Sequence, residues 1–235
     1  MRTDFDFSIV IPVLNEAESI NFVINQINTI SRDFKVEIIV ADGDKNLSTN
    51  AAIEDKSVIK LSSLPGRSVQ MNTGAEAACG DIILFLHADT ILPDNAFHEM
   101  ADAMADPSYV GGAFSLGFAS NSSAMRFIAW VANIRTKITR VPFGDQAIFL
   151  RREYFLSIGG FKEIPLMEDV ELMNRIKKHG DRIRLIPSRV RTSARKWERE
   201  GVFRTNMRNW SIQIMYLLGV SPERLFQYYY THKKN

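Results

Sequence analysis

Residues 81–90 read DIILFLHADT: an unbroken apolar run from Ile82 to Leu86, then a histidine, a small residue, an acid and a threonine. So short an apolar run, closed by polar residues, is a strand, and the lack of alternation along it requires both its faces to be buried. Upstream, the same signature occurs at 7–13 (FSIVIPV) and 36–40 (VEIIV), with a weaker third run at 57–61. Helical patterns fall at roughly 16–30, 48–55, 67–78 and 94–105. Continuously apolar strands separated by helices predict an α/β fold, its mostly parallel sheet flanked by helices on both faces. Asn15, with Glu18 three residues on, is placed to cap the first helix through a capping box. Pro12 removes a ladder donor, so it must lie near the carboxyl end of its strand.

Downstream of Val110 the alternation loosens into VGGAFSLGF, a helix near 122–138, FGDQAIFLRREYFLSIGGF, a helix near 168–179 and RIRLIP. The stretch 201–218 has an amphipathic helical pattern ending in SIQIMYLLGV, expected to pack on the domain in preference to touching a membrane. With 235 residues, 46% hydrophobic and 24% charged, the chain has the make-up of an ordinary soluble globular domain. The net charge of +2 is too small by itself to argue for a nucleic-acid groove, and no nucleic-acid partner is expected. Basic residues do crowd 182–208, which suits a phosphate or anionic surface as well as a solvated helix face. The single cysteine, Cys79, excludes an internal disulfide and a cysteine-built zinc site. The opening MRTDFDFSIVIP is a poor signal peptide, and no stretch has the ~18 uncharged apolar residues of a transmembrane span, so a cytoplasmic location is expected.

Ligands in an open parallel sheet bind beyond the carboxyl ends of the strands. Three polar clusters fall there: Asn15-Glu16, Asp42-Gly43-Asp44 and His87-Ala88-Asp89. Any one could be a turn or cap; three at one edge make a site. No G-x-G-x-x-G follows the first strand and no G-x-x-x-x-G-K-[ST] occurs, which disfavours dinucleotide and P-loop chemistry. A carboxylate-rich edge without a glycine cradle holds diphosphate most economically through a divalent cation, Mn2+ or Mg2+.

SIVIPVLNEAESI, VEIIVADGD, GRSVQMNTGAEAACGDIILFLHADT, FGDQAIFLRREYFLSIGGF and the Glu168-Asp169 pair of LMEDVELMNRIKKHG follow one another across roughly 7–188. In that order they resemble family 2 glycosyltransferases of the GT-A fold. The GR-x-x-QMN segment and the tail look like a compact bacterial subgroup, some of whose members are associated by name with arsenosugar biosynthesis. The resemblance implies a GT-A domain over 1–190, with a nucleotide-binding half at 1–110 and an acceptor half at 111–190. A helical tail, 191–235, would pack on it.

It also implies a reaction and a set of roles. The reaction is inverting, metal-dependent transfer from a nucleotide-diphosphate sugar, a UDP- or GDP-sugar, to an acceptor the sequence does not identify. Asp42 would accept a hydrogen bond from the nucleobase, with Pro12, Leu14 and Glu16 lining the same pocket. Asp89 matches the last acid of the D-x-D element and would ligate the metal. His87 stands where the first acid would be, which puts the ribose contact of that position in doubt. Arg67 and Asn72 would face the nucleotide, Arg67 by pairing with phosphate. Asp169 would be the general base and Glu168 its orienting partner. Gly144, Asp145 and Gln146, with Gly159 and Gly160, would shape the acceptor side, and Trp197 would stack on a sugar or close over the site. A sugar-phosphate nucleotidyltransferase and a non-catalytic nucleotide-sugar binder stay open as alternatives.

Overall fold

The computed structural model describes residues 5–120, 122–193, 197 and 200–232. Their strands form one eight-stranded sheet in the order β3-β2-β1-β4-β7-β6-β8-β5. These are β1 (Phe7–Val13), β2 (Val36–Asp42), β3 (Ile59–Ser62), β4 (Ile82–Phe85), β5 (Thr90–Ile91), β6 (Tyr109–Phe118), β7 (Phe149–Arg151) and β8 (Arg182–Thr192). The first four pair in parallel, as their apolar runs predict; β7 enters antiparallel between β4 and β6, and the short β5 lies antiparallel on β8. β6 and β8 are parallel, with register shifts at Tyr109/Gly111 and Phe114/Ser115 that bend the pair.

The helices are α1 (Ile20–Ile30), α2 (Ser48–Ala52), α3 (Arg67–Ala77), α4 (Ala96–Ala105), α5 (Ser123–Thr139), α6 (Arg152–Ser157), α7 (Glu168–His179), α8 (Val202–Leu217) and α9 (Pro222–Thr231). The unbroken apolarity of β1 now has its cause. Phe7, Ile9, Ile11 and Val13 point into a core under α1 and α4, while Val10 points the other way, into a core shared by α3, α7, α8 and α9. α3 lies so close to the sheet that a Cβ on Gly74 would stand 2.4 Å from Val10 Cγ1.

Pro12 sits where its missing donor costs least. Val10 accepts from the Leu86 N–H on the β4 side, and Pro12, two residues on, faces that side beyond the end of the β1–β4 pairing. The expected capping box at Asn15 does not form. Asn15 adopts left-handed backbone (φ 60°), the chain makes a further turn, and α1 begins only at Ile20. Ser19 Oγ instead donates to the Glu16 carboxylate at 2.7 Å, so the acid braces the loop rather than the helix end. No helix among the described residues is long and apolar enough to cross a membrane.

Candidate active site

At the ends of β1 and β2 the chain is held together by groups from elsewhere. Gln70, buried on α3, donates Nε2 to the carbonyls of both Val13 (2.6 Å) and Ala41 (2.9 Å). Asp42 is wholly enclosed: Oδ1 accepts the Asp44 N–H at 2.9 Å and Oδ2 the Asn50 N–H at 3.0 Å. Its carboxylate organises the turn into α2. Pro12 and Glu16 are partly exposed and Leu14 half exposed at the same edge, with the Glu16 N–H bonded to Thr49 Oγ1.

The second group of residues gathers where β4 ends. Gly144 opens a 3-10 turn (Gly144–Gln146) and donates its N–H to Asp169 Oδ2 at 2.6 Å. A Cβ on Gly144 would stand 3.1 Å from His87 Nε2 and 3.4 Å from Asp169 Oδ2, so glycine lets this backbone pass between the two side chains. Asp169 Oδ1 accepts the Val170 N–H, which leaves the carboxylate oriented on both oxygens at the first turn of α7. Met167, just before that helix, and Ala147, just after the 3-10 turn, both carry positive φ. Non-glycine residues in such conformations cost about 1–3 kcal/mol and concentrate at functional loops. Arg67 Nη1 reaches Glu168 Oε1 at 3.6 Å, the acid buried and the arginine half exposed. A recess between them is lined by Arg67, Phe85, His87, Gly144, Glu168 and Asp169.

Crowding perturbs the titrations. Burial, helped by the Arg67 charge, lowers the His87 pKa to about 3, so the ring is neutral at physiological pH. Asp145 is pushed up to about 6 by burial. Arg135 and Arg67 oppose that rise, while Asp169 and Asp89 add to it. Glu168 is raised by burial and by Asp169 against the pull of Arg67. Burial works against the charge of Arg67, but Glu168, Asp169 and Asp145 outweigh it and raise its pKa. Asp89, Asp145 and Asp169, from three separate segments, therefore share one field.

Three expected contributors turn inward. Asn72 accepts the Phe161 N–H (2.9 Å) and donates to the Phe161 carbonyl (2.8 Å), which fastens the Gly159-Gly160 turn. Its amide thereby braces the loop that leads into Phe161. Gln146 is buried, accepting from Thr136 Oγ1 and the Phe143 N–H and donating to the Phe114 carbonyl. It anchors the 3-10 turn, and Asp145 beside it is the residue left toward the site. Trp197 meets Phe118 edge-on, with ring centroids 4.9 Å apart, at the end of β6. Its neighbour Arg195 lies outside the described residues.

Arg135 went unread in the sequence, because it sits mid-helix with no motif around it. From α5 it stacks over Phe143 at 3.4 Å and feels Asp145 and Asp169. Asp89 is partly buried; Thr90 Oγ1 lies 3.4 Å from its Oδ1, and its carbonyl accepts the Ser193 N–H. Among the described residues no cluster of three or more His, Cys, Asp or Glu side chains forms a metal cage. A single carboxylate on oxygen-rich ground suits a cation that brings most of its ligands as phosphate and water.

The family model for glycosyl transferase family 2 matches residues 8–159. No curated protein matches the chain in sequence. Among solved structures, the mannosyltransferase PcManGT of Pyrobaculum calidifontis, in complex with GDP-Man and Mn2+, superposes with a TM-score of 0.70 at 20% identity, covering 97% of this chain and 69% of that one. Glucosyl-3-phosphoglycerate synthase of Mycobacterium tuberculosis, with Mn2+ and UDP-glucose, gives 0.58 at 20% identity over 79% and 70% of the two chains. S. aureus TarS in complex with UDP gives 0.60 at 15% identity over 87% and 64%. At these identities the likeness is one of fold, the GT-A fold.

Proposed function

The chain belongs to glycosyl transferase family 2, and from that premise we propose that it moves a sugar from a UDP- or GDP-sugar onto an acceptor hydroxyl with inversion. One observation carries the reading: the Gly144 N–H holds the Asp169 carboxylate at the meeting of the acceptor-side turn with the end of β4. In this reading the acceptor oxygen attacks the anomeric carbon opposite the diphosphate while Asp169 takes its proton. The bond from that carbon to the diphosphate breaks, and the leaving oxygens take up negative charge. Positioned proton removal of this kind contributes roughly 10²–10⁴-fold.

Arg67, half exposed and held charged by the acids around it, is the cation available to the departing diphosphate. Neutral His87 offers a ring N–H to a ribose hydroxyl or phosphate without adding charge. Mn2+ or Mg2+, held by Asp89 and the donor phosphates, would supply further stabilisation of the leaving group. Donor complexes of the solved structures with the same fold, with Mn2+ beside GDP-Man or UDP-glucose, support this assignment. The base pocket is the edge formed by Pro12, Leu14 and Glu16, over the loop that Asp42 braces.

Asp169→Asn tests the base. The amide keeps the size and the Gly144 contact but loses the basic oxygen, so turnover should drop by about 10²-fold or more with donor affinity intact. Calorimetric titration of the donor beside single-turnover rates separates the two. Collapse of donor binding would move Asp169 into the nucleotide site. Survival of turnover would hand its role to Asp145 or Glu168.

A further inference from the structure

Two neighbouring helices present an apolar face that the proposed chemistry does not use. Phe127, Trp130 and Ile138 on α5 are each more than half exposed, as are Trp210, Ile214 and Leu217 on α8. At about 3.6 residues per turn each trio falls on one stripe of its helix. The helices meet where Arg135 on α5 donates to Gln213 on α8 at 3.4 Å. They run the same way: Phe118 before α5 meets Trp197 before α8. At their far ends, Lys177 of α7 bonds the Thr139 carbonyl and Tyr216 feels Glu171 of α7.

Seen down each axis, the Arg135–Gln213 contact is roughly a quarter turn from either stripe, on opposite flanks. For parallel helices that geometry turns both stripes to the same side, as one strip. Exposed Arg126 and Lys137 border it on the outer flank of α5, and exposed Arg204 borders it on the outer flank of α8. Neither helix contains an aspartate or glutamate.

We propose that this strip docks the protein on an anionic lipid bilayer, with α5 and α8 lying in the plane of the interface. The pattern is that of interfacial helices: tryptophans and aliphatics on the buried side, cations at the rim, no carboxylates to repel anionic headgroups. Trp130 and Trp210 enter at headgroup depth, where indole rings settle. A second copy is the poorer occupant. A two-fold contact through this face would press cations against cations with no acid in either helix to answer them. Arg135, which bonds Gln213 between the two helices and lies over Phe143 beside Asp145, links this pair of helices to the proposed acceptor side of the site.

The test is sedimentation of the full chain with vesicles of phosphatidylcholine alone and of phosphatidylcholine mixed with phosphatidylglycerol. Binding to the mixed vesicles, weakened by salt and accompanied by a blue shift of tryptophan emission, is expected. Trp130→Gln with Trp210→Gln should abolish it. Lys137→Ala with Arg204→Ala should weaken it on the order of tenfold. Leu217→Gln, at the most exposed of these positions, is a change that folding tolerates and should lower binding severalfold. No binding to the mixed vesicles overturns the proposal, as does binding indifferent to all these variants. A solution dimer that Trp210→Gln dissociates would also overturn it, by assigning the face to a second copy.

Discussion

Asp145 is pushed well above the ordinary carboxylate range by burial, and the sign of that shift has a consequence for stability. Its folded pKa of about 6 lies above that of an ordinary carboxylate, so between about pH 4 and pH 6 the folded protein binds a proton that the unfolded chain releases. The folded state therefore loses stability as pH rises through that window, and above it carries the whole cost of ionising a crowded, partly buried carboxylate. Asp145→Asn removes the cost. Urea denaturation at pH 7.5 should find the variant more stable by on the order of 1–2 kcal/mol, with little difference at pH 4. Equal stability at pH 7.5 would mean that Arg135 and Arg67 already neutralise the acid. The same burial moves His87 the other way, because its charged form is the cation, which burial and Arg67 both suppress.

At the scale of elements, α3 links both halves of the site to the sheet. Gln70 ties the ends of β1 and β2, while Asn72 fastens the turn before Phe161. Two residues apart on a helix they point about 200° from one another, so one short segment serves two loops far apart in the chain. The arrangement depends on α3 lying close to β1, and Gly74 is what permits it. Gly74→Ala gains helix propensity of about 1 kcal/mol but drives a methyl into Val10, which overpacking typically penalises by about 1–3 kcal/mol. A net loss of stability is expected, and Val10→Ala in the same chain should recover part of it, giving a coupling readable in a double-mutant cycle. A stabilised Gly74→Ala would mean that α3 can lift from the sheet without loss.

At the scale of the whole molecule, three separate segments bring acids to one candidate site. Asp89 follows β4, Asp145 lies in the 3-10 turn and Asp169 stands in the first turn of α7; the charges of Asp89 and Asp169 both raise the Asp145 carboxyl, a repulsion that a divalent cation would relieve. Nucleoside diphosphate should accordingly raise the melting temperature far more with Mn2+ than in chelator. Ligand at ~100 times its dissociation constant contributes about 2.7 kcal/mol. Asp89→Ala should remove the increment due to metal and leave the smaller shift seen in chelator. Equal shifts with and without metal in the unmodified protein would contradict the assignment of Asp89. Running UDP and GDP in parallel also ranks the two donor bases.

Much of this was legible in the residues themselves. Largely apolar runs without strict alternation, at 7–13, 36–40 and 82–86, meant strands buried on both faces, and the two cores on either side of β1 are the reason. The order of motifs from FSIVIPV to LMEDVELM carried the family, and the ends of the apolar runs marked the sheet edge at which the candidate site lies. Such signals are local: a strand or a helix start is written in a few consecutive side chains. The division of labour along the edge is not local, and only the tertiary structure decided it. Asp42 turned into its own loop because backbone N–H groups two and eight residues on claimed both its oxygens. Arg135 joined the site because α5 packs beside the 3-10 turn, with nothing in its own segment to announce it. Glu16 left the helix for the loop once Asn15 took the left-handed conformation. Hydrogen bonds and pKa values depend on which groups are brought within a few ångströms, and here those groups come from segments up to a hundred residues apart.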